Sequence, residues 1–425
     1  MGERSMVVAV VAVLMCGACA TRPKPGNAQM PSVAPSPSPA PAPPATVTTS
    51  PEPVIVPPTP PTPPAVDLST LSLSYRRSGR RFMLDVAERA PVCRACTRVR
   101  VYYATNRGLT GDYSRASTVF GADQGDRLRY GFADVSIPPI GVHSTGKLEE
   151  PRLVKLELRW DPNRHVMLLD TSVMPRDLFY QTLTKRTAQS NREVLVFIHG
   201  FNVTFANALR RTAQIAHDLQ FDGVPVAYTW PSAGKLTRAG YRNDRGAADA
   251  SIRHLQAFLL ELVRKSGAVR IHLIAHSMGN RVLTQALAGI VADPDVVNKK
   301  IFQEIALTAP DVDSDVMARL AQAVAQTSRR VTLYASSRDH ALQFSKHEND
   351  APRAGLAEDI LLLAGIDSVD VTAVDTELVG HFYYAENRSV LEDIFNLIRD
   401  ARPPAKRFGM HRIARGAKTY WAFDP

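Results

Sequence analysis

Ile271-His272-Leu273-Ile274-Ala275-His276-Ser277-Met278-Gly279-Asn280 is the stretch on which the reading of this chain turns. An apolar, β-prone run stops at a serine flanked by small residues, and helix-like sequence from Arg281 to Ile290 begins at once. A serine so placed sits on a turn too sharp for bulky neighbours. Its hydroxyl then stands clear at a strand end, beside a helix N-terminus. Ala275 and Gly279 supply the small residues that such a nucleophile elbow requires.

Outward from the elbow the rhythm is regular. Uninterrupted apolar strands are expected at Val194–Ile198, Val224–Thr229, Phe302–Thr308, Val331–Ala335 and Val369–Val374. Amphipathic helices fall between them, near Phe205–Leu219, Asp244–Lys265 and Ser314–Ala325, with a short one at Ala341 and a last at Ser389–Arg399. This alternation implies an α/β fold, a mostly parallel sheet covered by helices on both faces. Before it, Arg98–Tyr103, Gly131–Ile137, Leu153–Leu158 and Val166–Leu169 read as strands separated by loops, a β-rich extension of the same domain.

An acyl-transfer serine needs a base, an acid to orient that base, and donors for the oxyanion. Open α/β sheets collect such groups at the carboxyl ends of their strands. Ser277 is the expected nucleophile and His381, after the last strand, the base; His276 is too close to the serine in sequence to reach its hydroxyl. The acid is expected at Asp339, with Asp311 the alternative; both keep the chain order Ser, Asp, His. Asp313 is better placed as the N-cap of the helix opening at Ser314. The backbone amides of Phe201 and Met278 are expected to form the oxyanion hole, with His199, Asn202 and Trp230 around the substrate pocket.

The strings Val196-Phe197-Ile198-His199-Gly200-Phe201-Asn202, Thr229-Trp230-Pro231-Ser232, Ala275-His276-Ser277-Met278-Gly279-Asn280, Ala309-Pro310-Asp311-Val312-Asp313 and Gly380-His381 occur in this order. Together with Tyr103-Ala104-Thr105-Asn106-Arg107 they resemble a bacterial α/β-hydrolase family of unassigned substrate, the domain-of-unknown-function 900 family, grouped with esterases and lipases. The resemblance runs from about Arg98 to Arg399 and implies an α/β-hydrolase fold and a serine hydrolase, while leaving the substrate open.

The chain ends carry a different message. An apolar run from Met6 to Met15, the small residues Gly17-Ala18 and then Cys19 read as a lipoprotein-type signal over residues 1–19, with Cys19 acylated. The apolar run is too short to span a bilayer. Residues 20–66 are dominated by Pro, Ala, Ser and Thr and read as a disordered tether. The β-rich extension is then 67–192, the catalytic core 193–400, and 401–425 a basic, solvated tail. In an oxidising envelope the pair Cys93 and Cys96 is expected to form a disulfide, because no second cysteine pair is available to complete a zinc site in the folded part. The net charge of +10 is dispersed and gives no nucleic-acid footprint.

These features predict an enzyme of the bacterial cell envelope, membrane-anchored through lipid, that cleaves a carboxylic ester or thioester of a small molecule or lipid, with no metal and no organic cofactor. Secreted or periplasmic release is the alternative location. A non-catalytic binding protein on the same fold and an amidase or peptidase using the same triad are the alternative functions.

Overall fold

The computed structural model describes residues 77–78, 81–87, 92–151, 157, 159–375 and 387–424. One twelve-stranded sheet organises nearly all of it. In chain order its strands are β1 (Leu84–Ala87), β2 (Thr97–Leu109), β3 (Phe120–Ile137), β4 (Met167–Met174), β5 (Glu193–Ile198) and β6 (Val224–Thr229). They continue with β7 (Arg270–His276), β8 (Phe302–Thr308), β9 (Ser328–Ala335), β10 (Asp367–Asp370), β11 (Met410–Arg415) and β12 (Lys418–Phe423). The helices are α1 (Arg176–Ala188), α2 (Phe205–Asp218), α3 (Arg238–Lys265), α4 (Met278–Ile290), α5 (Ser314–Thr327), α6 (His340–Asn349) and α7 (Arg388–Asp400).

Across the sheet the strands run β11-β12-β10-β9-β8-β7-β5-β6-β2-β3-β4-β1. Every pairing from β12 to β2 is parallel, and the antiparallel pairings lie at the two edges. From β5 the chain goes outward to β6 on one side and returns to β7 on the other. That reversal is the switch point at which an open α/β sheet leaves a crevice, and the elbow serine follows β7 there.

The period of two along a strand divides the core into layers. On β5, Val194, Val196 and Ile198 join the face covered by α1, α3, α4 and α5, through residues such as Phe179, Phe258, Leu283 and Val324. Leu195 and Phe197 join the opposite face with Ile215 of α2 and Leu391 and Ile394 of α7. Both faces of the central strands are therefore buried, which is why their sequences read as continuous apolar runs. Polar caps set the helix starts: the side chains of Thr204, Thr237, Asp313, Asp339 and Asn387 each accept from backbone N–H groups of the turn they open.

Three sequence expectations change. Residues 401–425 are not a solvated tail: β11 and β12 form an antiparallel hairpin with Arg415 opposite Lys418, and Val369 of β10 pairs with Trp421. Ala422 and Phe423 are buried at the end of β12; its mixed residues show no period of two, which concealed the strand. Helix α1 was not anticipated, and it buries Phe179, Tyr180 and Leu183. Strand β10 ends at Asp370, short of the expected Val374, because residues 372–374 turn. The expected strand at Leu153–Leu158 falls almost wholly outside the described residues. Cys93 and Cys96 are joined by a disulfide, and the intervening N–H groups of Arg94 and Ala95 donate to Asn163 Oδ1. Among the described residues no helix is long and apolar enough to cross a membrane.

Candidate active site

Ser277 has φ 51° and ψ −123°. For a residue with a Cβ this is a sparsely populated conformation, held only where surroundings over-determine it. Here they do. Ser277 N–H donates to Thr308 O at 3.0 Å, and Ser277 O accepts from Asn280 N at 3.0 Å and Asp311 N at 3.2 Å. The buried Asn280 amide adds bonds to Thr308 O and Ser277 O at 3.0 and 3.2 Å. The turn is thus bolted to the end of β8.

Two glycines permit the approach of β5 to the elbow. A Cβ on Gly279 would lie 2.5 Å from His199 O and 2.6 Å from Ile198 O. A Cβ on Gly200 would lie 2.7 Å from Ser277 Cβ. Neither space exists for a larger residue, so the small residues in both motifs reflect contact between the two strand ends. The serine is less open than the sequence suggests: its relative exposure is 2%.

The loop after β5 is set by His199. Its ring is fully buried, stacks on Trp230 at 4.8 Å between centroids, and has Nδ1 2.9 Å from Gly200 O. Trp230 N–H donates to His199 Nε2 at 3.2 Å, and the Trp230 indole donates to His199 O at 2.8 Å. Nδ1 therefore carries the proton, and Nε2 accepts. Burial, helped by the charge of Arg107, pushes the imidazole down to about 3, so it stays neutral. His199 and Trp230 stand behind the loop as its support, both almost fully shielded from solvent. Asn202, at φ 59°, has its N–H committed to Asp244 Oδ2 at 3.1 Å. Phe201 stands between Asn202 and the glycine that touches Ser277. Met278 opens α4, where the first N–H groups have no intrahelical partner.

The acid candidates differ in surroundings. Asp311 receives Tyr241 OH at 2.9 Å and the Ser345 hydroxyl, and lies 3.7 Å from Arg353. Tyr241 keeps its proton because burial, and then the Asp311 charge, raise its pKa. Both oxygens of Asp311 are occupied by this network. Asp339 is fully buried at the end of β9 and accepts Leu342 N–H at 2.9 Å as the cap of α6. Its loop is tied to the segment after β10: Ser336 Oγ donates to Asp375 Oδ2 at 2.6 Å, and Ser337 N–H to Thr372 Oγ1 at 2.9 Å. Asp313 caps α5, as its place in the sequence suggests. His381 and Cys19 lie outside the described residues.

Sequence reasoning missed the residues that lock the loops together. Arg107 is fully buried and donates to Thr229 Oγ1, Gly121 O, Ser232 O and Val203 O at 2.7 to 2.9 Å. Burial lowers its pKa to about 9, so it remains a cation at neutral pH. Asp244 of α3 accepts from Asn202 N, Ala233 N and the Ser232 hydroxyl. These two residues join the loop after β5 to the loop after β6. Thr105 donates to Thr229 O at 2.6 Å, and Asn106 to Ser251 Oγ at 2.8 Å. The available signal was a run of polar residues, Thr105-Asn106-Arg107, continuing an apolar strand.

The family described as "Alpha/beta hydrolase of unknown function (DUF900)" matches residues 176–400, just over half of the chain. Among solved structures, a predicted CIB-like hydrolase from Thermoplasma acidophilum is similar at 12% identity and TM-score 0.33, covering 72% of this chain and 100% of that one. The phospholipase PlaB from Legionella pneumophila, in complex with thio-NAD, is similar at 11% identity and TM-score 0.27, covering 54% and 67%. The acylaminoacyl peptidase of Pyrococcus horikoshii follows at 11% identity and TM-score 0.29, covering 65% and 48%. No curated protein matches the chain.

Proposed function

The chain belongs to this α/β-hydrolase family of unknown function, and on that premise we propose that it is a serine hydrolase cleaving a carboxylic ester or thioester through an acyl-enzyme. The observation that carries the reading is the strained Ser277, at φ 51° between β7 and α4, with Gly200 of the neighbouring loop against it. A strand-to-helix turn with only a packing role has no need of such a conformation. Strain of this kind belongs where it aims a side chain.

In this mechanism Ser277 Oγ attacks the acyl carbon, and His381 accepts its proton and then protonates the leaving alcohol or thiol. Asp339 orients the imidazole and supports its positive form. The N–H groups of Phe201 and Met278 stabilise the oxyanion. Water then attacks the acyl-enzyme with His381 again as base. Support for a base outside the described residues comes from His199, whose nitrogens are committed to Gly200 O and Trp230 N and whose pKa is near 3. Asp339 is preferred to Asp311 because its loop is hydrogen-bonded to residues 372–375, from which the chain leads to His381.

A fluorophosphonate probe tests the reading. Labelling at Ser277, together with turnover of p-nitrophenyl esters of graded acyl length, is the expected result. A folded protein that neither labels nor turns over esters would instead be a binding protein on this fold, and faster cleavage of matched anilides would make it an amidase. The acyl preference would separate small-molecule from lipid esters.

The proposed setting is the bacterial envelope, with Cys19 acylated and residues 20–66 as the tether; two or more acyl chains would anchor the protein where one would not. Metabolic labelling with an alkyne fatty acid should tag the unaltered protein and not Cys19→Ser. A soluble mature protein with a free amino terminus would replace the anchor with plain secretion.

A further inference from the structure

Away from the elbow, the loop that follows β3 meets the C-terminal turn of α2. Three potential ligands converge there: His143 from the loop, and His217 and Asp218 from the helix, with one ligand atom of each within 4.8 Å of the others. The geometry points to a divalent metal site of the zinc type, with His143 Nε2, His217 and Asp218 Oδ1 as protein ligands.

Both His143 and Asp218 are oriented from behind. His143 Nδ1 lies 2.8 Å from Glu149 Oε2, which directs Nε2 to Asp218 Oδ1, also 2.8 Å away. A carboxylate behind a histidine is the usual outer shell of a zinc-bound imidazole, fixing its tautomer and ring plane. Glu149 is in turn held by Ser144 N–H at 2.8 Å. The far oxygen of Asp218 is taken by Gly146 N–H and the Gln214 amide, each at 2.6 Å. Oδ1 is left facing the imidazole.

His217 supplies the second pointer. Its ring lies edge-on to His143 at 5.5 Å between centroids, and among the described residues its nitrogens have no hydrogen-bond partner. A structural ion-pair cluster has no use for this second imidazole, whereas a metal does. The side chains of His143 and Asp218 are 7% and 2% exposed, so a bound ion would be largely dry. Charge agrees as well: Asp218 and Glu149 balance a divalent cation once both imidazoles are neutral. Arg211 donates to Gly146 O and the Gln214 side-chain carbonyl and so braces the loop.

Two nitrogens and one carboxylate oxygen suit Zn²⁺, with water in a fourth position. Binding inserts the ion between His143 and Asp218 in place of the proton on His143 Nε2, which leaves to solvent. Such an ion would staple the loop of residues 138–150 to α2, about 20 Å along the helix from the end facing the elbow, by the rise of ~1.5 Å per residue. It would be structural and would take no part in ester cleavage.

The test is Zn²⁺ titration of the full oxidised chain, stripped with chelator, read by competition with a chromogenic indicator and by the thermal midpoint. One tightly bound equivalent with a raised midpoint is expected. His217→Ala should remove that equivalent and the midpoint shift while leaving the metal-free midpoint near that of the unaltered protein, since the replaced ring loses one edge-on contact and, among the described residues, no hydrogen bond. Glu149→Gln, which weakens the orienting bond and removes one of the two balancing charges, should weaken binding about 10–100-fold. Equal zinc binding by wild type and His217→Ala would overturn the site, as would no binding at all. Ester turnover with and without zinc is expected to match, so failure here is separate from failure of the serine-hydrolase reading.

Discussion

A Cβ on Gly200 would stand 2.7 Å from the Cβ of Ser277. The two residues follow strands β5 and β7, which are adjacent and in register, Ile198 beside Ala275. The proposed nucleophile and the proposed oxyanion loop are thus placed against each other by strand pairing, with no room for a side chain between them.

Gly200→Ala should therefore damage catalysis more than stability. The added methyl must push the loop or the serine aside, an overpacking cost of about 1–3 kcal/mol. Moving an oxyanion donor typically costs about 10²–10³ in kcat. Steady-state kinetics beside a urea melt checks this, and an unimpaired Gly200→Ala would remove Phe201 from the oxyanion hole.

Ser277→Ala is expected to abolish fluorophosphonate labelling and ester turnover, with a loss of several orders of magnitude in kcat. Its stability should stay near wild type, because alanine keeps the strained backbone. Ser277→Gly should be inactive yet more stable, since glycine adopts φ 51° without penalty. Matched melting curves of the two variants would read the strain directly.

The two carboxylates should separate by phenotype. Asp339→Asn is expected to lower kcat by about 10⁴, the cost of a mis-set histidine tautomer, with a modest loss of helix capping. Asp311→Asn should chiefly cost stability, because Asp311 is tied to Tyr241, Ser345 and Arg353. Comparing kcat and unfolding free energy for both variants decides the matter; a reversed ranking would move the acid to the loop after β8.

Arg107→Met should destabilise the fold by about 2–4 kcal/mol, since a buried cation with several hydrogen bonds is lost and carbonyl groups are stranded. The freed carbonyls of Val203 and Ser232 belong to loops beside the site. Activity at 25 °C should fall along with stability, which thermal melts and kinetics on one preparation would show.

Acid should destabilise the protein partly through His199. Its folded-state pKa of about 3 lies below the ordinary 6.5, so the unfolded chain binds a proton that the fold refuses. Stability is complete above about pH 6.5 and falls as pH drops toward 3. In His199→Gln this part of the acid slope should be missing from denaturant melts run between pH 7 and 4.

Much of this was present in the linear sequence. Continuous apolar runs at Val194–Ile198, Val224–Thr229 and Ile271–Ala275 fix a parallel sheet buried on both faces, because only that arrangement hides every side chain of a strand. Ala275, Ser277 and Gly279 fix the elbow, because a sharp strand-to-helix turn excludes bulk. Other features follow from strand order and loop closure, which local sequence does not encode. Only the fold places Gly200 against Ser277, turns His199 and Trp230 inward as supports, and encloses Arg107 among carbonyls of three segments. Only the fold draws 410–423 into the sheet, since an edge strand of mixed polarity pairs through its backbone. The proposed choice of Asp339 over Asp311 likewise draws on partners distant in sequence: Tyr241 and Ser345 claim one carboxylate, and the loop bonded to residues 372–375 carries the other.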